Sequence, residues 1–251
     1  MVYKVEGIVI HSLDYGEGSK ILTIFTKELG KISVLAKGAK KTKSRFSAVS
    51  ELFTYGAFVF YQSGKGLGNL NQGDVLYSFR HIREDIFRSA WASYLVEIVD
   101  KSVEEQVSFP ELFTLLYQSL LALDTGKDME IVARIFELQY LGFMGNDPEL
   151  FSCSICRRSD LPLVAFSVRE GGFLCDGCLS KDREAFPLAP VSVRLIQTLR
   201  RIPVARLGEV EIKVETRNQI RRVIQSFMDT YLPLSLKSKR VLDQLSKGYT
   251  P

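Results

Sequence analysis

The chain has 251 residues, 46% of them hydrophobic and 25% charged, and a formal net charge of +4. That balance suits a folded protein of about two domains with a core large enough to need no disulfide staples, and it excludes a disordered, collagen-like or secreted disulfide-scaffold chain. No apolar run approaches the ~20 residues that would span a bilayer, and the N-terminus lacks the layout of a secretory signal, so a cytoplasmic location is expected.

Short runs rich in Val, Ile, Phe, Tyr and Thr occur at 3–10, 20–26, 31–37, 54–61 and 75–79, separated by glycines that supply turns. Five short strands in the first 80 residues suit a small closed barrel, either an OB-fold or an SH3-like barrel. The texture changes near residue 81. Ile82, Ile86, Phe87, Ala90, Trp91, Tyr94, Leu95, Ile98 and Val99 recur at three and four, one face of a single long helix. Pro110 marks the start of a second helix, and a third runs over about 128–143, stopped by Gly142, Gly145 and Pro148. Residues 151–187 form a cysteine-bearing insert. Helical periodicity returns at 191–200 and 216–231, and a last short helix covers about 237–245. The expected architecture is α+β and multidomain: a barrel over 1–80, a helical domain over 81–150 and 188–251, and the insert between its halves.

Net charge follows the same division. Residues 1–80 carry +5, residues 81–150 carry −8 and residues 151–251 carry +7. Two basic segments around an acidic middle suggest polyanion contact at the ends, against the plainer reading of solvated charged faces.

Cys153, Cys156, Cys175 and Cys178 form C-x2-C, eighteen residues, C-x2-C. Two residues between cysteines let both thiolates of a tight turn face one ion, and two such turns complete a tetrahedron. Between the pairs, Val164–Val168, Arg169–Gly172 and Phe173–Leu174 read as strand, turn and strand, which brings the second pair beside the first. Four thiolates leave no open coordination position, so the expected cofactor is one structural zinc ion. The alternative is four reduced cysteines in an apolar cluster. A redox pair is disfavoured because no βαβ pattern surrounds the motif. Only two histidines are present, His11 and His81, and both lie far in sequence from the cysteines, which argues against Ser-His-Asp or Cys-His catalysis.

Lys37, Lys40, Lys41, Lys43 and Arg45 make a loop with five positive charges and no negative one. Such a loop neutralises phosphates without reading bases. Phe46, Phe53 and Tyr55 follow closely, but one face of the next strand must fill the barrel, so the lysines and not the aromatics are the DNA-binding candidates. Gly16–Lys20 lacks the Walker spacing, and a strand rather than a helix follows it. Gly64-Lys65-Gly66-Leu67-Gly68 opens no helix and reads as a hairpin turn. No nucleotide-hydrolysing site is visible and no enzyme activity is expected.

Val5-Glu6-Gly7-Ile8-Val9, Tyr15-Gly16-Glu17, Leu22–Thr26, Gly30-Lys31 and Ala36–Ala39 stand in an order that resembles the bacterial RecO family. So do Arg134–Leu138, Leu141-Gly142, the first cysteine pair and the closing Leu236–Lys239, where lysine replaces the family's final arginine. The resemblance covers nearly the whole chain. It implies an N-terminal OB-fold, a helical domain and, as in many members, a four-cysteine zinc module. It also implies binding of single- and double-stranded DNA, ATP-independent annealing, engagement of the acidic tail of single-stranded DNA-binding protein, and action with RecR to help load RecA, at the nucleoid. By match to the family's Phe-Glu-Leu stretch, Arg134 is the candidate contact for the acidic tail, against a helical ion pair with Glu130 at i−4. A generic nucleic-acid binder with a zinc ribbon is the second reading. An enzyme using carboxylates of the acidic segment, such as Glu104 and Glu105, is the third.

Overall fold

The computed structural model describes residues 1–64 and 66–248. Lys65, in the turn discussed above, lies outside the described residues. The chain forms two compact units, one of residues 1–126 together with the segment from 236 onward, the other of residues 127–235.

The first unit is built on a closed barrel of β1 (Val2–Tyr15), β2 (Ser19–Thr26), β3 (Gly30–Ala36), β4 (Tyr55–Tyr61) and β5 (Gly68–Tyr77), in the order β1-β2-β3-β5-β4. All neighbours are antiparallel except β3 and β5, which close the barrel with a short parallel pairing of Val34 with Gly68 and Leu35 with Asn69. This is the five-stranded OB-type barrel. Alternation explains its core: Val5, Val9, Leu22, Ile24, Ile32, Val34, Phe58, Phe60 and Leu70 point inward and are buried together. Closure needs a residue without a side chain at 68, because a Cβ there would sit 2.9 Å from the Phe60 ring and 3.3 Å from Val34.

Two strands are longer than their apolar runs. β1 continues past Ile10 because a bulge between Val9 and His11 accommodates the extra residue and pairing with β2 resumes down to Tyr15 and Ser19. β5 begins at Gly68 although residues 69–74 are mostly polar, since only Leu70 need face the core.

The helices of this unit are α1 (Arg80–Glu84), α2 (Ile86–Ser102), α3 (Pro110–Asp124) and α7 (Lys237–Gly248). The single helix expected from residue 82 is broken at Asp85, which adopts an extended conformation (φ −119°, ψ 121°). Its Oδ1 accepts the Phe87 and Arg88 N–H groups at 2.8 and 3.0 Å, so an N-cap stands where the apolar spacing shows no interruption. Buried Asp124, at the end of α3, accepts the Ile82 N–H and the Tyr77 hydroxyl, both at 3.0 Å, and ties α1 and β5 to α3. Phe113 of α3 packs on Phe25 and Tyr55 of the barrel. Helices α1 to α3 therefore lie in the same compact unit as the barrel, which runs to residue 126 before the second unit begins. Likewise α7 packs on α2, where the Glu97 carboxylate accepts the Lys237 and Ser238 N–H groups at 3.0 and 2.8 Å.

The second unit contains α4 (Met129–Phe143), the hairpin β6 (Leu163–Ser167) and β7 (Gly172–Cys175), the short strand β8 (Phe186–Pro187), α5 (Pro190–Arg201) and α6 (Val214–Tyr231). The sheet order is β7-β6-β8. Phe166 joins sheet to helices, edge-on to Phe173 and to Phe227 of α6 at 5.6 Å each. Among the described residues no helix is long and apolar enough to cross a membrane.

Candidate nucleic-acid interface and metal centre

The basic loop leaves β3 and is held down by its own apolar residues. Ala39, Phe46 and Val49 enter the barrel core, tight turns link Lys41 to Gly38 and Ser44 to Lys41 through backbone hydrogen bonds of 3.1 and 2.9 Å, and the Lys40 N–H donates across to the Gly18 carbonyl at 3.1 Å. Lys37, Lys40, Lys41, Lys43 and Arg45 are all exposed. Lys40 is paired with Asp14 at 2.6 Å, and that hydrogen bond holds the exposed Asp14 carboxyl below its ordinary pKa. Lys37, Lys41, Lys43 and Arg45 carry no ion pair among the described residues, and the Arg45 guanidinium stands 4.7 Å from the centroid of Phe46.

Phe46 and Phe53 are buried, while the Tyr55 ring packs on Phe113 and Tyr117 and its hydroxyl donates to Glu6, so all three are taken up by the fold. Burial, followed by the Glu6 interaction, raises the Tyr55 hydroxyl well above its ordinary range. The exposed apolar side chains here are Leu13 and Tyr15, 53% and 54% exposed, which flank Asp14 on the extension of β1. Their i, i+2 spacing before the Gly16 turn was the available signal.

Arg134 lies elsewhere than expected for a partner contact. It sits on α4 with 2% of its surface exposed, its Nη1 2.6 Å from Oε2 of the wholly buried Glu137. This ion-pair partner is at i+3, and the Arg134 charge also acts on Glu130 at i−4, helping to lower its carboxyl pKa. Glu130 instead accepts hydrogen bonds from Arg217 and Arg221 of α6, at 2.6–3.2 Å, and Asp128 accepts two from Arg217. So enclosed a guanidinium serves the structure of α4 through its pair with Glu137.

The cysteines are brought together by backbone pairing. The Glu149 N–H donates to the Gly171 carbonyl and the Phe173 N–H to the Glu149 carbonyl, both at 2.9 Å, while the Ser154 N–H donates to Phe173 at 2.8 Å. This lays the first C-x2-C turn against β7, which ends at Cys175. Gly172 permits the approach, since a Cβ there would collide with the Glu149 backbone. The four Sγ atoms lie within 4.8 Å of one another, and those of Cys156 and Cys175 are 3.7 Å apart. Tetrahedral coordination at about 2.3 Å per thiolate requires sulfurs about 3.8 Å apart. Leu174, Ile155, Leu161, Leu163 and Ala185 supply an apolar shell.

Burial pushes the Cys153 thiol up, but N–H groups of Cys156, Cys175 and Ile155 outweigh it and bring the thiol down to about 6. Burial and the neighbouring sulfurs push Cys178 up to about 12. One thiolate forms readily, and crowding opposes further ionisation until a cation offsets the charge. The cluster can thus hold a metal ion.

Two family models match the chain in succession: Recombination protein O N terminal over residues 1–79 and Recombination protein O C terminal over residues 83–240. The chain is 43% identical over 250 residues to the DNA repair protein RecO of Halalkalibacterium halodurans, covering 99% of this chain and 98% of the relative. It is 45% identical over 245 residues to the protein of that name from Bacillus pumilus, covering 98% and 95%, and 45% identical over 247 residues to that of Bacillus cytotoxicus, covering 98% and 99%. With both halves matched in order and nearly every residue aligned, the chain belongs to the RecO family of DNA repair proteins.

Proposed function

We propose that this chain is a recombination mediator and not an enzyme: it binds single- and double-stranded DNA, anneals complementary strands without ATP, and acts with RecR to help load RecA onto strands coated by single-stranded DNA-binding protein, whose acidic tail it engages. The observation that carries this reading is the exposed loop on the OB-type barrel, with Lys37, Lys41, Lys43 and Arg45 free of carboxylate partners among the described residues and anchored from below by Ala39, Phe46 and Val49. Two strands repel through their phosphates. Cations on an anchored loop lower that repulsion without demanding a base sequence, and the pairing itself then supplies the specificity. Lys40, engaged by Asp14, contributes its charge only after that exposed pair is exchanged for a phosphate, a small penalty for an ion pair in solvent.

The ion held by Cys153, Cys156, Cys175 and Cys178 is zinc on this reading, one per chain. Tetrahedral thiolate geometry and a closed coordination shell suit a structural role, in which the metal fixes the knuckle against β7. The protein works in the cytoplasm, at the nucleoid.

Annealing of complementary strands coated with the cognate single-stranded DNA-binding protein, without ATP and at two salt concentrations, tests the proposal. Acceleration that weakens with salt, and falls about tenfold or more in a Lys41→Glu/Lys43→Glu variant, is expected. No acceleration, alongside normal binding to naked strands, would reduce the chain to a general DNA binder.

A further inference from the structure

Annealing requires a protein to hold two strands, and the basic loop accounts for one. The +7 charge of residues 151–251 has no role yet. Most arginines of the second unit are engaged: Arg200 makes a two-pronged contact with Asp147 at 2.7 and 2.8 Å, and Arg217 and Arg221 are held by Asp128 and Glu130. Along α5, however, Arg194, Thr198 and Arg201 fall at i, i+4 and i+7, so they share one helix face, and all three are exposed. The two arginines are about 10 Å apart along the axis at 1.5 Å per residue. Neither has a carboxylate partner among the described residues.

Arg201 is also pre-positioned. Gln197, one turn earlier, donates to the Leu150 carbonyl at 2.7 Å and fixes α5 against the segment leading into the cysteine knuckle. This places the Arg201 guanidinium 3.7 Å from the centroid of the half-buried Phe151 ring. One face of the guanidinium is covered by the ring. Its other face is available to stack on a base and its edge N–H groups to bond phosphate. An unpaired, ring-backed arginine with a second cation and a hydroxyl on the same helix face matches an extended, flexible polyanion bearing flat bases.

On the reading given above, we propose that the Arg194–Thr198–Arg201 face of α5, with Phe151 beneath Arg201, is a second binding site for single-stranded DNA. The barrel loop and this face then hold one strand each.

The test uses the full-length, metal-loaded protein and a short fluorescent oligothymidine. Wild-type chain is expected to bind two oligomers, and Arg194→Glu/Arg201→Glu to bind one, with the salt slope reduced by about two and coated-strand annealing slowed about tenfold. Lys41→Glu/Lys43→Glu should remove the other oligomer. Phe151→Leu keeps apolar volume under Arg201 but removes the ring, and should weaken the α5 site about threefold. An unchanged thermal midpoint and metal content establishes that the variants fold. One oligomer per wild-type chain with normal annealing overturns the second site and leaves the mediator reading standing. So does native stoichiometry in the arginine variant, or a loss confined to binding of a poly-glutamate peptide, which would make the face a peptide site. A wild-type chain that binds no strand overturns both.

Discussion

The Arg134–Glu137 pair puts two opposite charges inside α4 with 2% and 0% of their surfaces exposed. Breaking a buried ion pair from one side leaves the remaining charge without that compensation and typically costs about 3 kcal/mol. Arg134→Ala is therefore expected to lower the free energy of unfolding by about 3 kcal/mol in urea melts, whereas Arg134→Met with Glu137→Leu should recover most of that loss. A stable single variant with specifically weakened tail binding would restore Arg134 as a partner contact. The sequence did hold a sign of the burial. Ile131, Val132, Ala133, Ile135, Phe136, Leu138 and Leu141 surround α4 with apolar side chains on every side, the mark of an enclosed helix rather than of one with a wet face. By contrast, the cysteine centre was readable from spacing alone, because C-x2-C dictates its own local geometry. The Lys40–Asp14 pair was not, since its members are 26 positions apart and meet only through barrel register.

At the level of elements, helix and strand existence followed from periodicity, while the interruptions followed from side chains that periodicity ignores. Asp85 splits one apolar stripe into α1 and α2 because its carboxylate caps the second helix. Asp128 does the same at the start of α4, accepting the Ile131 N–H at 3.0 Å, and is locked by Arg217. Burial alone would raise the Asp128 and Glu130 carboxyls. At Asp128 hydrogen bonds from Arg217 and the Ile131 N–H outweigh it, and at Glu130 a hydrogen bond from Arg221 and the charges of Arg134 and Arg221 do, so both titrate below their ordinary values of 3.8 and 4.5. A depressed carboxyl contributes its stability in full above the ordinary pKa and loses it as pH falls through the folded one. The α4–α6 contact should thus weaken below about pH 4.5. Because these side chains are partly exposed, the contribution is about 1–2 kcal/mol. Urea midpoints for the second unit should fall between pH 5 and pH 3, and Arg217→Gln should flatten that dependence. An Arg217→Gln profile parallel to wild type would show that the ion cluster does not carry the acid sensitivity.

For the whole molecule, order along the chain and order in space differ. The barrel was legible in the first 80 residues, but its attachment to α1–α3 was not, because the deciding contacts, such as Phe113 on Phe25 and Asp124 under Tyr77, involve residues far apart in sequence. The two units should also respond separately to loss of metal. Protein purified without chelator is expected to contain one zinc per chain. Chelation should then raise amide hydrogen exchange at 149–178, while the barrel strands keep their protection. Absence of zinc, or unaltered exchange after chelation, would make the cysteines an apolar cluster and no more.

The return of α7 to α2 has a consequence for biosynthesis. The first unit is interrupted after residue 126 and resumes at 236, so the second unit is an insertion tethered at both ends. During translation the barrel and α1–α3 emerge early, yet Glu97 waits for Lys237 and Ser238 until more than a hundred further residues have been made. A frameshift or nonsense codon at residue 236 would spare every residue of the inserted unit and strip the last helix from the unit that was translated first.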